Sequence, residues 1–209
     1  MTVVAVAGVK HSPGATTLAV ALAMATAGGA LVIEADPAGG DVAVRARCAV
    51  DPGMVSLAAA ARHGMSPEVI AEHVQHLGSG VTLLAGPVSA RHATAALRAV
   101  AEPLAQLCAQ RPGLTLVDLG RVDDPGLVVP FLTVADLVVL VVRPTGDDIA
   151  GARSRLKDLA QYSRAVSVAV VGSGPFPIGD VADALGAVVV TVPWDPRSEE
   201  RRVGKECRL

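Results

Sequence analysis

A lysine, a glycine and two threonines lie close together between the first predicted strand and the first predicted helix. The segment reads AGVKHSPGATT, with Lys10 before Gly14 and with Thr16 and Thr17 after it. At such a junction, free backbone N–H groups and the positive end of the helix dipole converge, and α/β folds bind phosphate there. The pattern predicts either a phosphate-binding loop or a plain strand-to-helix junction that binds nothing.

Acidic residues follow or end two other predicted strands. The second strand leads into EADPAGGD, which contains Glu34 and Asp36, and the strand LTLVD ends at Asp118. An Asp-Pro turn is common after a strand, so each acid taken alone is also explained by local structure.

The phosphate-loop candidate resembles the deviant Walker A motif of the ParA/MinD family, Lys-Gly-Gly-x-Gly-Lys-[Ser/Thr]-Thr. Lys10 matches the early signature lysine, and Gly14, Thr16 and Thr17 match the later positions. The resemblance implies that Lys10 reaches the phosphates of the partner subunit in a homodimer that encloses two nucleotides. It also implies that the hydroxyl of Thr16 holds Mg²⁺.

The loop departs from that motif at three positions, and it has a proline at the unrestricted one. His11 and Ser12 replace two glycines, Pro13 removes a backbone N–H, and Ala15 stands where the phosphate-binding lysine belongs. The ordinary P-loop pattern therefore fails. Phosphoryl transfer depends mainly on placed positive charge, so we expect weakened triphosphate binding and weak or absent hydrolysis.

The acids fit the same family in chain order. EADPAGGD resembles the switch segment Asp-x-Asp-Pro-Gln-Gly, with Glu34 at the first acid and Asp36 at the second. The strand that ends at Asp118 resembles a Walker B strand. The resemblance implies a Mg²⁺ site formed by Thr16, Asp118 and Asp36, and it implies catalytic roles for Asp36 and Lys10.

The segment TVPWDP resembles the family's adenine-pocket segment after the last strand. Pro193, Trp194 and Asp195 are the candidates for contact with the base, although the single tryptophan could instead cap the core. With the loop residues Lys10, His11, Ser12, Gly14, Ala15, Thr16 and Thr17, they complete the expected nucleotide site. The implied cofactors are ATP and Mg²⁺.

Short Val-rich segments alternate with helical segments along the chain. The predicted strands are Thr2 to Gly8, Ala30 to Glu34, Val81 to Ala85, Leu114 to Asp118, Leu137 to Val142, Val166 to Val171 and Ala187 to Val192. The predicted helices are Gly14 to Ala27, Ser89 to Gln110, Asp147 to Tyr162 and Gly179 to Leu185, with short helices between Asp51 and Leu77. This alternation predicts a three-layer α/β fold of the P-loop NTPase type, with a mostly parallel sheet and helices on both faces.

A membrane span is the competing interpretation of Ala15 to Ile33, which is apolar and uncharged. Gly28 and Gly29 divide that stretch, and it separates naturally into helix, turn and strand. The three cysteines have no paired or metal-like spacing, which favours a reducing cytoplasm.

The composition changes abruptly at Arg197. Eight of the last thirteen residues are charged, and the run from Arg197 to Cys207 resembles a translated sequencing adapter. We therefore expect one ParA/MinD-like P-loop domain over residues 1–196, truncated at its C-terminus, followed by a non-native tail at 197–209.

Two functional hypotheses follow. The first is a nucleotide-dependent positioning protein of ParA/MinD type that dimerises around ATP and carries a protein cargo, with weak hydrolysis. The second is a pseudo-ATPase that acts as a scaffold or localisation factor, for example of a pilus or secretion system, and Ala15 favours it. A DNA or membrane platform is possible for the first hypothesis but is not evident, because acids dilute the basic cluster around Arg153, Arg155, Lys157 and Arg164.

Overall fold

Strands and helices alternate along the part of the chain that the computed structural model describes, residues 1–9, 14–78, 80–122 and 125–194. The strands are Thr2–Gly8 (β1), Ala30–Glu34 (β2), Gln75–Gly78 (β3), Val81–Leu84 (β4), Leu114–Arg121 (β5), Leu137–Val142 (β6), Val166–Val171 (β7) and Val189–Val192 (β8). The helices are Ala15–Ala25 (α1), Val42–Arg45 (α2), Met54–Ala60 (α3), Pro67–Ala71 (α4), Ala90–Gln110 (α5), Val129–Val134 (α6), Gly146–Leu159 (α7) and Ile178–Leu185 (α8), with a 3-10 turn at Ala61–His63.

The strands form one sheet in the order β3-β4-β2-β5-β1-β6-β7-β8. The pairing of β3 with β4 is antiparallel, and the other neighbouring strands are parallel. Strands that are buried on both faces read as continuous Val-, Ile- and Leu-rich runs, as β2 and β6 do. The predicted three-layer α/β fold with a mostly parallel sheet is confirmed.

A separate apolar layer covers each face of the sheet. On one face α5 packs Leu97, Val100 and Leu104 against strand residues such as Val117. On the other face α1 presents mainly small side chains, among them Ala19, to a layer that includes Val32 and Leu116. Because the aromatic content is only 2%, aliphatic side chains fill most of both layers.

Several elements differ from the prediction. Residues 75–78 pair as an edge strand with β4, whereas short helices were predicted as far as Leu77. Helices α2 and α6 were not predicted, since four and six residues are too few to show a helical period. β5 continues past Asp118 to Arg121.

No helix among the described residues is long and apolar enough to cross a membrane. The stretch that raised the membrane interpretation, 15–33, divides into α1 and most of β2. Lys10, His11, Ser12 and Pro13 lie outside the described residues, as do Asp195 and the predicted non-native tail. The domain boundary at residue 196 stays a prediction.

Candidate nucleotide site

The candidate site lies at the carboxyl edge of the sheet where the chain changes direction. β1 lies between β5 and β6, and the chain builds the sheet to one side of β1 before it crosses to the other. Parallel α/β sheets bind ligands at such a point, because the loops on either side of it separate and leave a crevice. The phosphate-loop candidate leaves β1 at this crevice.

The strand register brings Glu34 and Asp118 to the same level. Asp118 pairs with Val6 of β1 on one side and with Glu34 of β2 on the other. Side chains alternate between the faces of a sheet, and Val32 and Leu116, two residues earlier, belong to the apolar layer under α1. Both carboxylates therefore point toward the face that α1 covers.

The first turn of α1 completes this arrangement. Gly14 has φ 97°, a left-handed conformation that favours glycine, and a side chain there would meet nothing within 4 Å. The hydroxyl of Thr16 lies beside the Asp118 carboxylate and lowers its pKa. Ala15, where the family has lysine, is buried in the apolar layer beside Ala19.

Asp118 is nearly inaccessible to water, with 2% of its surface exposed. The pKa of Asp118 is raised to about 6, mainly by burial and to a smaller extent by the charges of Asp36 and Asp41. The neighbouring Thr16 and the backbone N–H of Gly120, 3.0 Å from Oδ1, act in the opposite direction. A cation bound at this carboxylate would relieve the cost of holding its charge in a dry site.

Glu34 ties the switch segment to two other parts of the edge. Its Oε1 accepts the backbone N–H groups of Asp41 and Val42 at 2.9 and 2.8 Å, and its Oε2 accepts that of Gly86 at 3.0 Å. Burial raises the pKa of Glu34 to about 7, against the effect of these three donors. The backbone N–H of Gly40 also donates to the carbonyl of Pro87. These bonds hold the loop between β2 and α2 against the segment that follows β4.

Asp36 lies over the end of β5. Its Oδ1 accepts the backbone N–H of Ala38 at 2.7 Å. Its carboxylate occupies the space that a side chain at Gly120 would need. Burial raises the pKa of Asp36, while the Ala38 N–H and the charge of Arg121 lower it.

The adenine-pocket candidates lie farther along the same edge. Pro193 and Trp194 follow β8, three strands from β1 in the sheet order, and Trp194 is half exposed with its side chain against Gly172 after β7. Phe176, from the loop that follows β7, is also exposed and lies near Gly146. Aromatic surface is therefore present at this end of the edge, in a chain that has only four aromatic residues.

Solved structures show which fold this is. The chain is similar to a ParA family ATPase from Chlorobium tepidum, with TM-score 0.82 and 15% identity over 97% of this chain and 88% of that one. It is also similar to MinD with Mg-ADP from Pyrococcus horikoshii, with TM-score 0.73, 14% identity and coverage of 97% and 86%. MinD in a MinC:MinD complex from Aquifex aeolicus gives TM-score 0.68, 18% identity and coverage of 97% and 86%.

The chain has the ParA/MinD fold. The sequence matches no protein-family model and no curated protein. At these identities the similarity extends to the architecture, so the chemistry must be argued from the residues of this chain.

On the ParA/MinD fold, the described candidates form two groups. One group lies at the edge of β1, β2 and β5 and contains Gly14, Ala15, Thr16, Thr17, Asp36 and Asp118. The other lies at the edge of β7 and β8 and contains Pro193 and Trp194. The predictions for Lys10, His11 and Ser12 stay untested, because these residues lie outside the described part.

Three features of the site went unrecognised in the sequence. They are the three N–H donors around Glu34, the packing of Asp36 on Gly120, and the position of Arg121. The glycines themselves were the available signal. A side chain at Gly40 or Gly120 would collide with the carboxylate of Glu34 or Asp36, and one at Gly86 would crowd Glu34.

The residues of the site suit Mg²⁺ better than a metal ion that is held entirely by protein ligands. No group of three or more His, Cys, Asp or Glu within the described ranges is arranged to hold a metal ion. Mg²⁺ in nucleotide sites is held by one or two carboxylates together with phosphates and waters, not by a cage of protein ligands. A threonine hydroxyl beside one buried aspartate matches that requirement.

Proposed function

We propose that this chain is a nucleotide-dependent positioning protein of ParA/MinD type that binds ATP with Mg²⁺ and hydrolyses it weakly or not at all. The observation that carries the proposal is the position of Thr16 beside the buried carboxylate of Asp118. The start of α1 thus faces Asp118 on β5, and Asp36 packs against Gly120 two residues later. A plain junction without a ligand has no need of a buried carboxylate with a raised pKa.

The roles of the residues follow from their positions. Thr16 and Asp118 would hold Mg²⁺, in part through water, and Asp36 would orient a water molecule near the terminal phosphate. Mg²⁺ supplies charge that neutralises the phosphate oxygens. Lys10 would reach the phosphates of the partner subunit, and Trp194 with Pro193 would contact the base. Gly14, Ala15 and Thr17, with His11 and Ser12, would border the phosphates.

The second candidate function is a pseudo-ATPase scaffold that binds no nucleotide. The burial of Ala15 favours it, because the methyl group contributes to the apolar layer and supplies no charge. The retained pair of Thr16 and Asp118 favours the first candidate. A site that has lost its ligand gains no advantage from the desolvation of Asp118.

The proposal includes partners. One of the similar solved structures is MinD in complex with MinC. By analogy, we propose that this chain forms a homodimer around nucleotide and binds a protein cargo. Cytoplasmic location agrees with the unpaired cysteine spacing and is proposed on that ground.

Equilibrium binding of a fluorescent ATP analogue tests the proposal on the full chain at pH 8, where Asp118 is charged. We expect Mg²⁺-dependent binding that Thr16→Ala weakens about tenfold or more, because the proposed hydroxyl ligand of the cation is lost. Thr133→Ala is the matched control, since its hydroxyl bonds the carbonyl of Val129 on the short helix α6. Sedimentation with and without ATP tests dimerisation. A folded protein that binds nothing at millimolar nucleotide contradicts the proposal and leaves the scaffold.

A further inference from the structure

Arg121 ends β5 at the level where the phosphate-loop candidate leaves the sheet. The register pairs Arg121 with Gly8, the last residue of β1. A bulge separates this pair from the pair of Val6 and Asp118, so β5 extends beyond its acid by three residues. The backbone of Arg121 is thereby held beside the end of β1, where the loop begins.

The side chain of Arg121 belongs to the same electrostatic environment as the acids. Arg121 is exposed to solvent, whereas the preceding Gly120 is buried beneath the Asp36 carboxylate. The positive charge of Arg121 lowers the pKa of Asp36, against the larger effect of burial. Arg121 directly follows Gly120, on which the Asp36 carboxylate packs, so this exposed arginine lies next to that contact at the edge of the site.

The first turn of α1 supplies no such charge. Ala15 is buried among apolar side chains. Helix α1, with the sequence ATTLAVALAMA, contains no acidic or basic residue. A triphosphate at this edge would approach Glu34, Asp36 and Asp118, which repel it unless cations compensate. An arginine can bind two phosphate oxygens at once through parallel N–H donors.

We propose that Arg121 supplies to the terminal phosphate of the nucleotide the positive charge that Ala15 cannot supply. The inference rests on the proposed function. It assigns the phosphate-binding cation of this chain to the end of β5 instead of the start of α1. The competing role for Arg121 is that of a structural counter-ion to Asp36, which involves no nucleotide.

Binding of fluorescent ATP and ADP analogues to Arg121→Ala, Arg121→Lys and wild type separates the two roles. We expect Arg121→Ala to weaken ATP binding about 10- to 100-fold, as for the loss of a hydrogen bond to a charged group, with a much smaller effect on ADP. Arg121→Lys should retain part of the affinity. The matched control is Arg98→Ala, an exposed arginine on α5, the helix that packs on the opposite face of the sheet.

Equal loss of ATP and ADP binding, or none, would overturn the inference, because a structural counter-ion does not distinguish the two nucleotides. Ala15→Lys provides the second arm, with thermal unfolding to establish that each variant is folded. Recovery of ATP binding in the double variant Ala15→Lys/Arg121→Ala supports the exchange of one cation for the other. If wild type binds nothing but Ala15→Lys binds ATP, the inference fails while the site stands. If neither binds, the proposed function fails as well.

Discussion

The acidic end and the aromatic end of the candidate site are built in opposite ways. At the acidic end, Glu34 and Asp118 are 3% and 2% exposed, and backbone N–H groups fix both carboxylates. At the aromatic end, Trp194, which follows β8, is 50% exposed, and Phe176, in the loop after β7, is 41% exposed. One end is held by directional bonds in a dry interior, and the other presents surface to solvent.

The difference shows which part of the candidate site is held in place without a ligand. Buried carboxylates persist only where hydrogen bonds or a cation compensate their desolvation. An exposed aromatic ring carries no such requirement, and stacking with a base is gained only on binding. The comparison predicts that removing a buried acid lowers the free energy of unfolding much more than removing an exposed aromatic ring does.

The largest expected effect is that of Glu34→Ala. It leaves the N–H groups of Asp41, Val42 and Gly86 without their acceptor, and we expect unfolding to become easier by about 4 kcal/mol. Trp194→Ala should cost less than about 1 kcal/mol, because half of the ring is already in water. Urea unfolding at pH 7 measures both. Similar losses from the two variants would contradict the proposed division.

A second prediction concerns pH and follows from Glu34 alone. Its pKa of about 7 exceeds the ordinary value of 4.5, so between these values the folded chain holds a proton that the unfolded chain has released. Stability from this group is therefore greatest at low pH and is lost as pH rises through 7, by about 3 kcal/mol between pH 5 and 8. The raised pKa of Asp118, about 6, acts in the same direction.

Glu34→Gln removes this dependence while retaining an acceptor oxygen. Urea unfolding of wild type and Glu34→Gln at pH 5 and pH 8 isolates the contribution of the group, since all other titrations are common to both proteins. We expect the wild type to lose more stability over this range than the variant. Identical pH slopes would mean that Glu34 is not desolvated as its position indicates.

The sequence predicted the layers of the fold because each relies on a local signal. Val-rich strands and the long amphipathic helix of residues 90–110 are recognisable without any tertiary contact. β3 was missed because its pairing with β4 supplies what its own residues, QHLG, do not indicate. The candidate acids were found for the same reason as the strands, since each follows an apolar run.

The bonds that orient those acids were not predictable. Glu34 meets Gly86 across fifty-two residues, and Asp36 meets Gly120 across eighty-four. Such contacts depend on strand order, which periodicity does not determine. Strand order also sets the position of Arg121, because β5 is placed beside β1 by a long-range pairing.

The smallest expected effect is the most specific test of the acidic end. Gly120 and Gly186 have nearly equal φ, 58° and 59°, but a side chain at Gly120 meets the Asp36 carboxylate whereas one at Gly186 meets nothing within 4 Å. Gly→Ala at either position carries the backbone cost of a left-handed residue, about 1 kcal/mol. We expect Gly120→Ala to cost about 1 to 2 kcal/mol more than Gly186→Ala, and Asp36→Ala to remove most of that excess in a double-mutant cycle. If Asp36 rotates away freely, both variants lose the same stability, and the fixed position of Asp36 that the acidic end requires is disproved.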